Sequence, residues 1–206
     1  MIYIVVSLFA LILTFSYRIT KEWIYRVPFI AQKLADKYTI YIWGFLALAV
    51  AFFVKDEYVY QVPMIDKKII FIGVVILFIN LFVAKYSGYE PVGKYNLVNF
   101  VIFYPVFEEI IFRGLILPIL NTTFNHYLGE IVFLQITTAI IISAFLFAIA
   151  HLQYYELNQS SIRYMVFACM GGVLFGAIAD YTQSIVFPIL LHVAFNFMAA
   201  YSYSKR

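Results

Sequence analysis

Long apolar runs divide the chain, separated by short polar or Pro/Gly-bearing segments. Read at the length needed to cross a bilayer, about 20 residues, they predict spans near 2–17, 38–54, 69–84, 97–120, 131–154, 162–180 and 184–203. The stretch 18–37 carries charges interleaved with Trp23, Tyr25 and Phe29, the pattern of an amphipathic helix lying at the interface. The first run has no preceding Lys or Arg and no small-residue cleavage signal before Arg18, so it reads as a retained helix. The expected fold class is all-α: a polytopic bundle of about seven transmembrane helices, with 1–206 as one integral membrane domain.

Composition agrees. Of 206 residues, 65% are hydrophobic and 12% charged, with a mean hydropathy of +0.91. An ordinary soluble domain is about half apolar and a quarter charged. A soluble cytosolic enzyme, a nucleic-acid module and a disordered chain are therefore excluded. The net charge of +3 needs no acidic partner. Counted by loops, ten Lys and Arg fall on one side and three (Lys55, Lys67, Lys68) on the other. The positive-inside rule then puts the N-terminus outside and the C-terminus, with Lys205 and Arg206, in the cytoplasm. The low-charge, Ile/Phe/Tyr-rich composition suggests a prokaryotic plasma membrane. A single cysteine, Cys169, excludes an internal disulfide and reads as packing.

Ionisable groups inside a bilayer are costly and tend to mark function. Three spans carry them. The fourth reads Phe107-Glu108-Glu109-Ile110-Ile111-Phe112-Arg113-Gly114, the fifth ends Phe147-Ala148-Ile149-Ala150-His151, and the seventh holds His192-Val193-Ala194-Phe195-Asn196. Glu109 and Arg113 stand at i,i+4 with the acid first, the favourable order for an ion pair. Glu108 lies about 100° away round the helix and has no partner in its own turn. His192 and Asn196 share a face. A carboxylate, two imidazoles and an amide could thus converge from three helices as parts of a hydrolytic site.

Each residue has a plainer reading. Glu109–Arg113 could be only a structural clamp, His151 a hydrogen-bonded core histidine, and Asn196 interhelical glue. Asp180 reads as a helix-end residue at the interface and His126 as a loop residue. Gly172 and Gly176 form a GxxxG that favours close packing. Pro105 and Pro188 are expected to kink their spans. Five ionisable residues on three spans, with Asn196 beside them, would be an odd way to build inert scaffold.

The ordered set Glu108-Glu109-x-x-x-Arg113, Phe147-x-x-x-His151 and His192-x-x-x-Asn196 resembles the CPBP family of intramembrane proteases. That family includes the type II CAAX prenyl endopeptidases and the bacteriocin-processing or abortive-infection proteins. Phe112-Arg113-Gly114 and the run from Gly172 through Thr182 and Pro188 to His192 agree with it. The resemblance covers about 97–200, which becomes the expected catalytic core. It implies that Glu108 activates water, Glu109 and Arg113 support it, His151 and His192 are the site histidines, and Asn196 stabilises an oxyanion. It also implies a membrane peptide or protein substrate, prenylated in some members. Glu108, His151 and His192 could instead hold Zn2+, and both a metal-dependent and a metal-free glutamate mechanism stay open. Two other classes stay open: the resemblance also implies a non-catalytic membrane protein of the bacteriocin self-immunity type, and the same ionisable residues would serve a small transporter as a proton relay. The absence of inverted repeats weighs against the transporter.

Overall fold

A computed structural model describes residues 1–27, 32–54, 57–88 and 91–203. Phe29, Lys55, Lys205 and Arg206, which entered the interfacial and charge readings, lie outside the described residues. The elements are α1 (Ile2–Thr14), α2 (Ser16–Tyr25), α3 (Gln32–Phe53), α4 (Lys67–Val83), α5 (94–121), a hairpin of β1 (Tyr127–Ile131) and β2 (Leu134–Thr137), α6 (Thr138–Ala150), α7 (Gln159–Thr182) and α8 (Val186–Tyr203).

Among the described residues, three helical segments are long and apolar enough to cross a membrane: Ala35–Phe53, Lys67–Tyr86 and Gln159–Thr182. The bent pair α1–α2 makes a fourth if taken as one span. The bundle is thus helical and membrane-compatible, and the expected count of seven goes beyond these. The differences have local causes. Thr14 and Ser16 turn their hydroxyls back onto the carbonyls of Ala10 (2.7 Å) and Leu13 (2.6 Å), a contact that bends helices. The chain breaks there by 56°. Gln153 bridges the break, donating to the Thr14 carbonyl (2.7 Å) and accepting from the Arg18 N–H (3.0 Å). After it, α2 lies against α3, joined by the Lys21–Asp36 ion pair at 3.0 Å.

The fifth expected span begins too early. Residues 127–137 form an antiparallel hairpin in which Ile131 faces Leu134 across the tip. Gly129, at φ 156°, marks its bulge. The helix starts only where the Thr137 hydroxyl caps the Ile140 N–H. At 13 residues, α6 covers about 20 Å, less than the hydrocarbon thickness of roughly 30 Å. The fold is therefore a helical bundle with one small hairpin.

Apolar side chains cover the outside as well as the core. Phe45 and Phe52 on α3 are each 76% exposed, and Phe78 on α4 is 63% exposed. Such faces suit acyl chains. The innermost element is α5, whose stretch from Ile110 to Leu117 is buried throughout. The α6–α7 contact beside it depends on Gly172. A Cβ there would stand 2.9 Å from the Ala144 Cα and 3.4 Å from Arg113 Nη2. At Gly176 the nearest atom is the tip of Ile140, at 3.2 Å. Gly172→Val is therefore expected to destabilise the protein by about 1–3 kcal/mol, with Gly176→Ala milder. Thermal unfolding in detergent measures both.

Candidate active site

Helix α5 is not regular. Two π-helical stretches, Asn99–Phe103 and Ile110–Ile116, interrupt it. Each is followed within two residues by a proline, Pro105 and Pro118. Proline offers no N–H and crowds the carbonyl a turn behind it, and a π turn relaxes that crowding. Carbonyls in this helix consequently turn to tertiary partners. Phe100, five residues before Pro105, accepts from Asn196 Nδ2 at 2.7 Å. Gly114, four before Pro118, accepts from the Tyr58 N–H at 3.0 Å. Phe112 accepts from Ser143 Oγ at 3.0 Å. Pro105 thus acts through a π turn. Pro188 lies in the first turn of α8, where an N–H has no intrahelical acceptor, so the expected mid-span kink is replaced by a helix start.

Between the two π stretches stand the paired glutamates. The i,i+4 ion pair forms: Arg113 Nη1 donates to Glu109 Oε1 at 3.0 Å, with both residues fully buried. The same oxygen meets His192 Nδ1 at 2.8 Å, tying α5 to α8. Glu109 Oε2 and Arg113 Nε and Nη2 are buried without a hydrogen-bond partner among the described residues. The guanidinium is met instead by aromatic faces, its Cζ 4.3 Å from the Phe147 ring centre and 6.0 Å from that of Phe175. This is a desolvated cation–π setting.

Glu108 points elsewhere, as its angular offset predicts. It lines a mostly apolar cavity of about 240 Å³ together with His151, His192, Asn196, Tyr104 and Tyr154. Among the described residues, no group hydrogen-bonds its carboxylate. His151 sits in the single 3-10 turn that ends α6. Its backbone N–H bonds one residue nearer than in an α-helix, to the Ala148 carbonyl. Its ring Nδ1 lies 3.0 Å from the Phe147 carbonyl. A carbonyl can only accept, so Nδ1 carries the proton and Nε2 presents a lone pair. The same logic at His192, whose Nδ1 faces a carboxylate, leaves its Nε2 on the other side of the ring.

The structure therefore brings Glu108, His151, His192 and Asn196 to one cavity and sets Glu109 and Arg113 behind it. Asn196 is more committed than expected, with its amide already donating to the Phe100 carbonyl. Sequence reasoning did not single out Tyr154 or Phe175. Tyr154 was open to it, since it stands three residues after His151, one 3-10 turn away. Among the described residues, no three His, Cys, Asp or Glu side chains are grouped to hold a metal. Glu108, His151 and His192 share the cavity, but their donor set as placed does not fit a three-ligand zinc site. Asp180, at the far end of α7, accepts from Asn121 Nδ2 at 2.5 Å and from the Tyr58 hydroxyl at 3.1 Å. Burial, followed by the nearby Asp180 charge, pushes Tyr58 up to about 12, so this phenol keeps its proton and the contact is structural.

A helical, membrane-compatible bundle with Glu108, His151 and His192 on one apolar cavity and Glu109 behind it has the parts an intramembrane hydrolase needs. Residues 91–198 match the family model described as Type II CAAX prenyl endopeptidase Rce1-like, and the chain belongs to that family. Membership implies protease activity on membrane-associated substrates. No curated protein and no solved structure gave a match.

Proposed function

We propose that the protein is an intramembrane endopeptidase that hydrolyses a peptide bond of a membrane-associated, lipid-modified substrate with water activated by Glu108. The observation that carries this is the division of labour between neighbours. Glu109 is held by Arg113 and His192, whereas Glu108 faces the cavity with no hydrogen-bonding partner among the described residues. A carboxylate in apolar surroundings is a stronger base than one in water. Water held between Glu108 and the His151 lone pair gives its proton to Glu108. The resulting hydroxide attacks the peptide carbonyl. Asn196, through its second amide hydrogen, and His192 stabilise the oxyanion. On collapse, the C–N bond breaks and Glu108 returns its proton to the departing amine.

In the same reading, α1, α5, α6 and α8 also lie within the bilayer, giving seven spans with the N-terminus outside. The end of the cavity lined by Ser87, Tyr155 and Tyr164 then lies toward the cytoplasm. Its wall includes Ile79 of α4 and Met170 of α7, 48% and 63% exposed. Substrate could enter sideways from lipid between these helices. The test uses the purified protein in proteoliposomes with a farnesylated CAAX peptide and its unprenylated twin. Release of the C-terminal tripeptide, detected by mass spectrometry, is expected from the farnesylated peptide. Failure to release it from either peptide would overturn the reading.

A further inference from the structure

We propose that Tyr154 is a further catalytic residue, its phenolic hydroxyl donating a hydrogen bond to the oxyanion formed when water attacks the substrate carbonyl. This deepens the reading given under Proposed function and rests on it. The need arises from the donors already in place. His192 has its Nδ1 engaged by Glu109 Oε1 at 2.8 Å, so it meets an oxyanion from the Nε2 side alone. Asn196 has one amide hydrogen committed to the Phe100 carbonyl at 2.7 Å, which fixes the direction of the other. Each of these two groups is therefore partly committed before substrate arrives.

Tyr154 supplies an uncommitted donor. It lines the same cavity as Glu108 and His151. It follows His151 by three residues across a 3-10 turn, where side chains at that spacing eclipse. Its ring is fixed edge-on against Tyr17 (centroids 4.7 Å apart) and Tyr104 (5.5 Å), with the His151 ring 6.4 Å away. The hydroxyl lies within electrostatic reach of the Glu108 carboxylate. Among the described residues, no group takes up that hydroxyl in a hydrogen bond. A rigid ring carrying a rotatable donor into a low-dielectric cavity is the arrangement that strengthens oxyanion stabilisation. The hydroxyl remains protonated throughout, so no proton balance changes.

The test is Tyr154→Phe, which removes one oxygen and keeps the ring packing. Cleavage of a farnesylated CAAX peptide in proteoliposomes is expected to fall in kcat by on the order of 100-fold, with KM and thermal unfolding unchanged. Binding of a phosphinate isostere of the peptide, whose oxygens stand where the oxyanion would, is expected to weaken with it. Binding of an uncleavable ketomethylene analogue is expected to hold. An unchanged kcat overturns the assignment, and so does a rise in KM alone. If Tyr154→Phe lowers the unfolding temperature, the ratio of the two affinities on the folded fraction still decides. Equal weakening of both analogues would make Tyr154 a packing residue. Glu108→Gln in the same assay separates the two levels. Full cleavage by Glu108→Gln would remove the proposed function itself. Silent Glu108→Gln with fully active Tyr154→Phe would remove only the present inference.

Discussion

Glu108→Gln is expected to reduce peptide cleavage by about 10³-fold or more, since a positioned general base contributes some 10²–10⁴-fold. The substitution is isosteric, and no group among the described residues hydrogen-bonds Glu108, so the bundle should unfold at its usual temperature. The expected pattern is a collapse in kcat with KM little changed, since the lost proton transfer occurs only on the way to the transition state. Steady-state cleavage of the farnesylated peptide, read beside thermal unfolding in detergent, checks this. A variant that turns over at the original rate would place the base on another residue.

Arg113→Met is the second large effect, and it falls on stability. Removing the guanidinium leaves Glu109 fully buried with His192 as its remaining partner. Breaking one side of a buried ion pair costs about 3–5 kcal/mol. Methionine keeps an aliphatic stem between Phe147 and Phe175, so a cavity contributes little. The double variant Glu109→Leu with Arg113→Met should recover part of that loss, because two apolar groups no longer leave a charge stranded. It should nevertheless stay inactive, since His192 loses the carboxylate that fixes its Nδ1. Unfolding temperatures for the two single variants and the double variant give the coupling, and the cleavage assay reports the histidine. Equal stability of Arg113→Met and the original protein would show that Glu109 does not need its neighbour.

The site was more legible than the fold around it. Glu109, Arg113 and the offset of Glu108 follow from residue spacing within one helix, and spacing is what a sequence carries. The convergence of His151 and His192 on them depends on three helices meeting, and only the expense of placing such groups in lipid hinted at it. The segment 131–137 was misread because Ile131, Phe133, Leu134 and Ile136 make a short apolar run, and such runs suit a strand as well as the start of a helix. The break after Thr14 lacks both proline and glycine. It depends on two hydroxyls bonding backward and on Gln153, far along the chain. The π turns of α5 left a trace in Pro105 and Pro118, but the partners Asn196, Ser143 and Tyr58 come from elsewhere in the bundle.

The π turn at Asn99–Phe103 also sets the phase of everything beyond it. Its hydrogen-bonded turn holds one residue more than an α turn, and each residue of α-helix corresponds to about 100° of rotation. Rewound as ordinary α-helix at unchanged length, the same residues would carry Glu108 about 100° round, away from the cavity it lines. Chain length in these five residues is therefore an angular setting: deleting one of them would remove the bulge and leave both carboxylates facing as they do, whereas deleting one from the regular turn that follows would not.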